Sequence, residues 1–398
     1  MSSVEQRRGR LTSVLLNIGK NLLLVFLSLI FALGLVEIAL RIHNPLGFRV
    51  KGDKIILPIN KNEIIHHAGW SKLDRTVLVH RNSLGFRGEE PPPDLGQRLS
   101  LMTVGGSTTE CFELADNRTW ISVLGEKLKN NFSPFWINNA GLSGHSTFGH
   151  IILMQDFIVK MKPKVVVFLV GVNDMGLEEE NNADRNIHKG FTWSSFRSLE
   201  RFSAALSDHS EVAAAVLNLK RYFFPKVTWA PTSREINLKT EPTLTMSAEA
   251  KAALEKDYQQ KYVIPYEERL ETLLHLCKEN HILPVLVTQP ALYGYAIDDV
   301  TGVDLSQVRV RKGINGGFYW DILEINNAVT RKVAQKEGVF LIDLAREMPK
   351  SSKYYYDLIH YDNLGAEKVG TIVYQHLYPY LAGKFPQYLR ATASRTVN

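Results

Sequence analysis

The chain has 398 residues, of which 45% are hydrophobic and 22% are charged, and its formal net charge is +6. This composition is typical of a folded globular protein with one large domain or two smaller ones, and it excludes a largely disordered chain. The positive charge is mild and forms no compact basic patch with interleaved aromatic residues, so we expect no nucleic-acid partner.

The amino-terminal segment contains the longest apolar run, over residues 22–36. Residues 21–42 are long enough to cross a bilayer as one helix, and Glu37 near the far end is close enough to pair with Arg41. Four basic residues precede the run: Arg7, Arg8, Arg10 and Lys20. The positive-inside rule therefore predicts a cytoplasmic tail over residues 1–20, a single-pass anchor, and a periplasmic or extracellular remainder. A cleaved signal peptide is the alternative, but the run is long and no small-x-small cleavage site follows it.

Residues 43–98 are polar and turn-rich, which is typical of a linker and an amino-terminal extension. Arg87 is the candidate functional residue in this segment. One interpretation is that its guanidinium reaches an anionic substrate group. The other, which we prefer, is that Phe86 packs on the core and Arg87 pairs structurally.

The next apolar run, residues 101–104, stops at Gly105-Gly106 and is followed by Ser107. A strand that ends in a sharp glycine turn places a hydroxyl at the carboxyl edge of a sheet, where a nucleophile is required. Because Gly-Gly-Ser is also an ordinary turn sequence, this signal is weak alone.

Three further pieces follow in order: Gly141-Leu142-Ser143-Gly144, Gly171-Val172-Asn173-Asp174 and Asp357-Leu358-Ile359-His360. His360 can be the general base that serine needs, and Asp357 can hold the other imidazole nitrogen. The Ser107 and Gly144 backbone N–H groups and the Asn173 amide can stabilise an oxyanion. Apolar strands over residues 135–138 and 165–170 precede Gly144 and Asn173, so each site residue follows a strand end.

These four blocks resemble those of the SGNH/GDSL hydrolase (esterase) family. Residues 81–88 resemble a segment often found ahead of the core in membrane-anchored bacterial members of this family. The resemblance implies a flavodoxin-like, three-layer α/β/α sandwich with a parallel sheet over residues 99–382, and it implies a serine esterase with the roles given above. Gly106 stands where the family usually has Asp, which is generally not a triad member. His145 stands where many members have Asp, so a substrate contact there is an open possibility. Asp174 is expected to orient the Asn173 loop or to cap a helix.

The remaining core alternates helices and strands, as a doubly wound fold requires. Helices are predicted near residues 119–130, 147–162, 270–277, 322–333 and 366–377, and strands over residues 283–288 and 339–342. An insertion occupies about residues 176–256, and a short tail covers residues 383–398. The insertion includes amphipathic helices within residues 196–224, which are interpreted as a helical cap, a substrate-shaping lid or a membrane-surface contact.

The chain has two cysteines, Cys111 and Cys277. A disulfide is possible in an oxidising compartment, but the prediction is two buried, unpaired thiols. The spacing fits no zinc site, and the proposed chemistry needs no metal or cofactor.

Three functions remain open at this stage. The first is a membrane-anchored serine esterase acting on O-acyl esters of glycans or lipids. The second is an O-acyltransferase that modifies an envelope polysaccharide, because only the second acceptor differs chemically. The third is a non-catalytic envelope scaffold. The sequence does not define the acyl group, the alcohol or the oligomeric state.

Overall fold

The computed structural model describes residues 3–43, 50–51, 54–178, 180, 184, 206–223 and 234–390. These residues fall into two compact units. The smaller unit lies within Met1–Ile56 and Ile187–Phe224, and the larger one within Leu57–Asn186 and Pro225–Asn398.

The helices of the described residues are α1 (Ser3–Ile42), α2 (Ser107–Glu110), α3 (Trp120–Lys129), α4 (Thr147–Leu153), α5 (Val159–Met161), α6 (Glu211–Phe223), α7 (Ala248–Glu279), α8 (Gly316–Glu337), α9 (Leu344–Glu347) and α10 (Asn363–Lys384). A π-helical turn, Met154–Ile158, joins α4 to α5. The predicted helix over residues 147–162 is therefore present but changes its hydrogen-bonding pattern midway.

The strands are β1 (Val50–Lys51), β2 (Lys54–Ile55), β3 (Lys61–His66), β4 (Thr76–Arg81), β5 (Arg87–Gly88), β6 (Leu99–Gly105), β7 (Phe135–Asn139), β8 (Val165–Leu169), β9 (Leu283–Val287), β10 (Arg309–Arg311), β11 (Ile314–Asn315) and β12 (Phe340–Ile342). Eight of them form the central sheet, in the order β12-β9-β8-β6-β7-β5-β4-β3.

The five strands from β12 to β7 run parallel. Numbered along the chain, their spatial order is 2-1-3-4-5, which is the flavodoxin-like arrangement. Strands β6 and β8 are buried along their whole length, as expected for strands covered on both faces. Helices α3 and α10 pack together, as do α4, α7 and α8, which gives the three-layer α/β/α sandwich that the family resemblance implies.

The boundary of the larger unit differs from the sequence-based division. Strands β3, β4 and β5 lie within the predicted linker and amino-terminal extension, residues 43–98, and extend the sheet in antiparallel fashion beyond β7. Strand β3 alternates half-buried and exposed residues, and β5 has only two residues. Such short, partly solvated strands carry a weak apolar pattern, which is why the sequence did not reveal them.

Helix α7 begins at Ala248, with Ser247 as its N-cap. The sequence-based insertion ended near residue 256, inside this helix. Its apolar periodicity is visible only in the second half, where Leu270, Leu273 and Leu274 are buried. The first half is largely exposed, so periodicity alone could not place its start.

Helix α1 includes one stretch, Leu16–Ile42, that is long and apolar enough to cross a membrane; a signal sequence passes the same test. In the same unit, helix α6 packs on α1. Residues 196–205 and 224 of the amphipathic segment lie outside the described residues. The part that is described belongs to the unit of α1, not to the unit of the sheet.

Candidate functional site

The site is assembled at the carboxyl edge of β6, β7 and β8, where the strand order reverses. Strand β6 ends at Gly105, and α2 begins at Ser107 after one intervening residue, Gly106. A Cβ on Gly106 would clash with Asn173 Nδ2, and a Cβ on Gly105 would clash with Leu169 O and Thr109 Oγ1. The turn is therefore tight: a side chain at Gly105 would meet a backbone carbonyl, and one at Gly106 would displace the Asn173 amide.

Ser107, His360 and Asp357 form a continuous hydrogen-bonded line. Ser107 Oγ lies 2.7 Å from His360 Nε2, and His360 Nδ1 lies 2.6 Å from Asp357 Oδ2. His360 and Asp357 are buried, whereas Ser107 is partly accessible. Ser107 and His360 are 253 residues apart in the sequence, and the sheet topology brings them together.

The Asp357 carboxylate also organises its own loop. Its Oδ1 accepts hydrogen bonds from the backbone N–H of Ile359 at 2.8 Å and of His360 at 2.7 Å. This Asx-type turn curls the loop so that the imidazole returns over the carboxylate. On the other side, the Tyr356 ring stacks on the His360 ring, with a centroid distance of 5.6 Å and an interplanar angle of 9°.

Gly144 and Asn173 lie beside the turn Gly105-Gly106-Ser107, which carries the predicted nucleophile and is named the nucleophile turn. Gly144 has a φ of 80°, a left-handed conformation that favours glycine, so the turn after β7 requires a residue without a side chain. Asn173 Nδ2 donates to His145 O at 2.8 Å, which links this turn to the loop after β8. An amide carries two N–H groups, so one donor of Asn173 remains after this hydrogen bond.

Glu110 supports the nucleophile turn from its buried side. Its carboxylate accepts hydrogen bonds from Ser143 N at 2.5 Å and from the Ser143 hydroxyl, and it pairs with the Arg81 guanidinium. Glu110 and Arg81 are both buried, so the loss of either partner would leave the other as an uncompensated buried charge. Neither Glu110 nor Arg81 was singled out from the sequence.

Arg87 has a similar supporting position. Its guanidinium donates to the backbone carbonyls of Glu110, Cys111 and Leu114 and pairs with Asp116 at 2.7 Å. The side chain is 2% exposed. These contacts support the structural interpretation of Arg87 over contact with an anionic substrate.

Asp174 is buried behind the Asn173 loop. Its Oδ1 accepts from Thr147 N at 3.0 Å and Thr147 Oγ1 at 2.5 Å, and it lies 3.4 Å from Arg269 Nη2. Arg269 in turn lies over the Phe148 ring, with its guanidinium carbon 4.1 Å from the ring centroid. Asp174 thus ties the loop to the first turn of α4, which supports the orienting role expected for it.

A second carboxylate, Asp184, holds the same helix end. Its oxygens accept from Ser146 N at 2.7 Å, Ser146 Oγ at 2.6 Å and Gly149 N at 3.2 Å. Asp184 belongs to the predicted insertion (about residues 176–256) and is fully buried. No local pattern around it signals this role.

His145 and His150 are both buried, with ring centroids 5.9 Å apart. His145 therefore faces the interior beside α4, not the surface expected of a substrate contact. Burial lowers the pKa of His150 to about 4, so this imidazole is neutral near pH 7.

A loop of the extension contacts segments on both sides of the site. His67 Nε2 lies 2.8 Å from Glu113 Oε2, just beyond α2, and Lys72 Nζ donates to the carbonyls of Ser352 and Tyr355 at 2.9 Å. Between these ties, the Trp70 ring lies 5.4 Å from the Tyr356 ring. The segment assigned to a linker therefore bridges the Ser107 and His360 sides of the site.

The cysteines are not joined. Cys111 and Cys277 are free and buried, and burial raises the pKa of each thiol to about 12. In the part of the chain that the structure describes, no three His, Cys, Asp or Glu side chains converge as they would around a metal ion.

The comparisons with known proteins agree with this architecture. Residues 103–368 match the sequence model of the GDSL-like Lipase/Acylhydrolase family, and this span contains all four blocks. Curated proteins give no significant match to the chain.

Several solved structures are similar to this chain. A lipase/acylhydrolase from Enterococcus faecalis is 14% identical, with 75% of this chain and 100% of that chain covered and a TM-score of 0.39. The acetyl xylan esterase AlAXEase is 15% identical, with 69% and 98% covered and a TM-score of 0.38. At these values the likenesses carry no argument about substrate, and the family match rests on the sequence model.

Proposed function

The chain belongs to the GDSL-like lipase and acylhydrolase family and is an ester-bond hydrolase, and on that premise we propose that Ser107 is its nucleophile. His360 is the general base, and Asp357 holds its imidazole in the reactive tautomer. The observation that supports this most directly is the line of two short hydrogen bonds, 2.7 Å from Ser107 Oγ to His360 Nε2 and 2.6 Å from His360 Nδ1 to Asp357 Oδ2.

In the first half-reaction, Ser107 Oγ attacks the acyl carbon while its proton moves to His360 Nε2. The imidazolium is stabilised by the Asp357 carboxylate. It then gives the proton to the leaving alcohol, and an acyl-Ser107 ester remains. In the second half-reaction, water attacks this ester with His360 again as the base, which releases the acid and restores Ser107.

The oxyanion of each tetrahedral intermediate needs donors that are already in place. We assign this role to the Ser107 backbone N–H, the Gly144 backbone N–H and the second N–H of the Asn173 amide. Ser107 is the first residue of α2, where helical N–H groups have no intrahelical acceptor. The bond from Asn173 to His145 O fixes the amide so that no reorganisation is needed during the reaction.

The substrate class is inferred from the amino-terminal helix. An enzyme held at a membrane meets acylated glycans and lipids of the cell envelope, so we propose O-acyl esters of these molecules as substrates. The basic residues before the helix support a cytoplasmic amino terminus with the catalytic unit on the opposite side. Transfer of the acyl group to a sugar hydroxyl instead of water would use the same residues.

Labelling with a fluorophosphonate, which reacts with activated serines, tests the proposal together with turnover of p-nitrophenyl acetate. The full-length protein in detergent should be labelled and active, Ser107→Ala should be neither, and Ser122→Ala should match the wild type. Labelling without turnover would indicate that a different acceptor, such as a sugar, replaces water. Wild-type turnover by Ser107→Ala would contradict the assignment, and no labelling of folded wild type would favour a scaffold.

A further inference from the structure

Glu37 is an acidic residue within the apolar stretch of α1. A carboxylate at such a position is costly unless it is fully paired. Glu37 accepts hydrogen bonds from Ser210 Oγ at 2.8 Å, Glu211 N at 3.0 Å and Val212 N at 3.1 Å. It also pairs with Arg41 Nε at 2.8 Å. Three of its four partners therefore come from the start of α6.

Glu37 acts as the cap of α6 although it belongs to α1. The first N–H groups of a helix have no intrahelical acceptor, and a negative charge at that end is favoured by the helix dipole. Arg41 Nη2 adds a hydrogen bond to His209 O at 2.7 Å, and Lys51 pairs with Glu211. The end of α1 and the start of α6 are thus joined by specific polar contacts.

Helix α6 exposes apolar side chains beside this junction. Val216 is 65% exposed and Leu219 56% exposed, and Leu206 just before the helix is also exposed. The apolar side chains of α1 between Leu16 and Ile42 are exposed as well. An apolar surface of this extent is unfavourable in water and marks contact with a membrane or another partner.

A groove of about 750 Å³ is lined by residues of α1 and of the segment 206–217. Its lining is mainly apolar and includes Leu33, Leu206 and Leu217, and Arg41 also lines it. Gly34 belongs to the lining as well, and an added Cβ there would meet nothing within 4 Å. The volume lies within the range of roughly 300–1,000 Å³ that ligand pockets usually have.

We propose that α6 lies at the membrane surface where the carboxyl end of α1 leaves the bilayer, and that the groove holds one acyl chain of a membrane phospholipid. The groove is continuous with the apolar surface of α1, so bilayer lipid is the ligand present at the highest concentration. The Arg41 side chain is 59% exposed and is available to the lipid phosphate.

This proposal is independent of the catalytic assignment. It also implies that α1 is retained in the working protein, because removal of α1 would take away Glu37 and Arg41 and leave the start of α6 without these partners. Of the three interpretations of the insertion, it favours the membrane-surface contact for residues 206–223.

The test uses full-length protein in nanodiscs of phosphatidylcholine and phosphatidylglycerol, with a trace phosphatidylcholine that carries a diazirine on one acyl chain. After illumination, the labelled peptides are mapped by mass spectrometry. We expect labels on residues 206–217 in addition to α1. Gly34→Trp should reduce the labelling of residues 206–217 by about tenfold, which corresponds to about 1.4 kcal/mol, because the indole ring would occupy the groove in place of the acyl chain.

Gly19→Trp is the matched control, because Gly19 also lies in α1 with nothing within 4 Å of an added Cβ. It should leave the labelling of residues 206–217 unchanged. Equal labelling in Gly34→Trp and the wild type, or labels confined to α1 in the wild type, would overturn the proposal. Amide hydrogen exchange across α6 checks that Gly34→Trp is folded there, and Gly34→Leu replaces it in the same comparison if it is not.

Glu37→Ala tests the junction in the same experiment. Without the carboxylate, the amides of Glu211 and Val212 should exchange faster, and labels should disappear from residues 206–217 while α1 stays labelled. Glu37→Gln keeps an acceptor oxygen and should retain part of both signals. Unchanged exchange in Glu37→Ala would show that the cap does not hold α6, against the proposal.

Discussion

The nucleophile turn has two sides that are built from different contacts. On the reacting side, Ser107, His360 and Asp357 are joined in a line by single hydrogen bonds. On the supporting side, Glu110 and Arg81 form a buried ion pair that also holds Ser143. Removing the Ser107 hydroxyl deletes a chemical function and leaves the packing intact, whereas removing Glu110 or Arg81 leaves a buried charge without its partner.

The largest expected effect is on the reacting side. Ser107→Ala and His360→Ala should each lower kcat for p-nitrophenyl acetate by about 10⁴- to 10⁶-fold, because nucleophile and base act as a unit. The double variant should be no worse than either single variant. Thermal unfolding should change little in Ser107→Ala, which removes one hydroxyl and leaves the buried His360–Asp357 pair intact. A double variant that is much slower than both singles would contradict the shared role.

The next effect is on the supporting side. Glu110→Ala should lower the free energy of unfolding by about 3–5 kcal/mol, because the Arg81 charge stays buried and unpaired. Denaturant unfolding of the full-length protein in detergent measures it. The double variant Arg81→Met with Glu110→Leu is the control and should recover much of the loss. Equal losses in the single and double variants would show that the ion pair is not the cause.

Gly106 lies between the reacting and supporting sides. Gly106→Ala should lower kcat more than it lowers the free energy of unfolding. The new Cβ displaces the Asn173 amide, and loss of one oxyanion donor costs about 10²- to 10³-fold in kcat. KM should change little. Gly96→Ala is the matched control, because an added Cβ there meets nothing within 4 Å. Wild-type kcat in Gly106→Ala would remove Asn173 from the proposed oxyanion hole.

The smallest effect concerns acid stability. The pKa of His150 is lowered to about 4 by burial, so below about pH 6.5 the unfolded chain takes up a proton that the folded protein does not. Stability is therefore lost as the pH falls from about 6.5 to 4, by up to roughly 3 kcal/mol. In denaturant titrations over the same pH range, the free energy of unfolding of His150→Gln should fall by roughly 3 kcal/mol less than that of the wild type. Parallel pH profiles for both proteins would contradict the assigned cause.

The reacting side could be predicted from the sequence, and the supporting side could not. Ser107, Gly144, Asn173, Asp357 and His360 each follow a strand end or lie in a short recognisable block. The geometry joins Ser107, His360 and Asp357, and it places Asn173 against the nucleophile turn. Their roles in catalysis stay a prediction until they are tested.

The supporting residues depend on partners that are distant in the chain. Arg269 meets Asp174 across 95 residues, and Glu110 meets Ser143 across 33. Neither hydrophobic periodicity nor a local motif predicts contacts between residues so far apart in the sequence. Arg87 was noticed, but only the fold shows its guanidinium bound to the carbonyls of the α2 segment.

The fold divides in the same way. Strands β6 and β8 are buried on both faces and were visible as apolar runs, and the 2-1-3-4-5 order follows the expected doubly wound pattern. Strands β3 to β5 extend the sheet beyond β7, and many of the side chains of β3 and β4 are partly or fully exposed. Polar residues are therefore compatible with these strands. The sequence therefore predicted the parallel core and missed its antiparallel extension.

Capture of the covalent acyl intermediate is the most direct way to establish whether Ser107 is the nucleophile. The full-length protein in detergent is mixed with p-nitrophenyl acetate, quenched with acid within the first turnovers, digested and mapped by mass spectrometry. We expect one acetyl group on Ser107, present in the wild type and absent in His360→Ala. Acetylation of a residue other than Ser107 would contradict the assignment of Ser107 as the nucleophile. Undiminished ester hydrolysis by Ser107→Ala would contradict it as well.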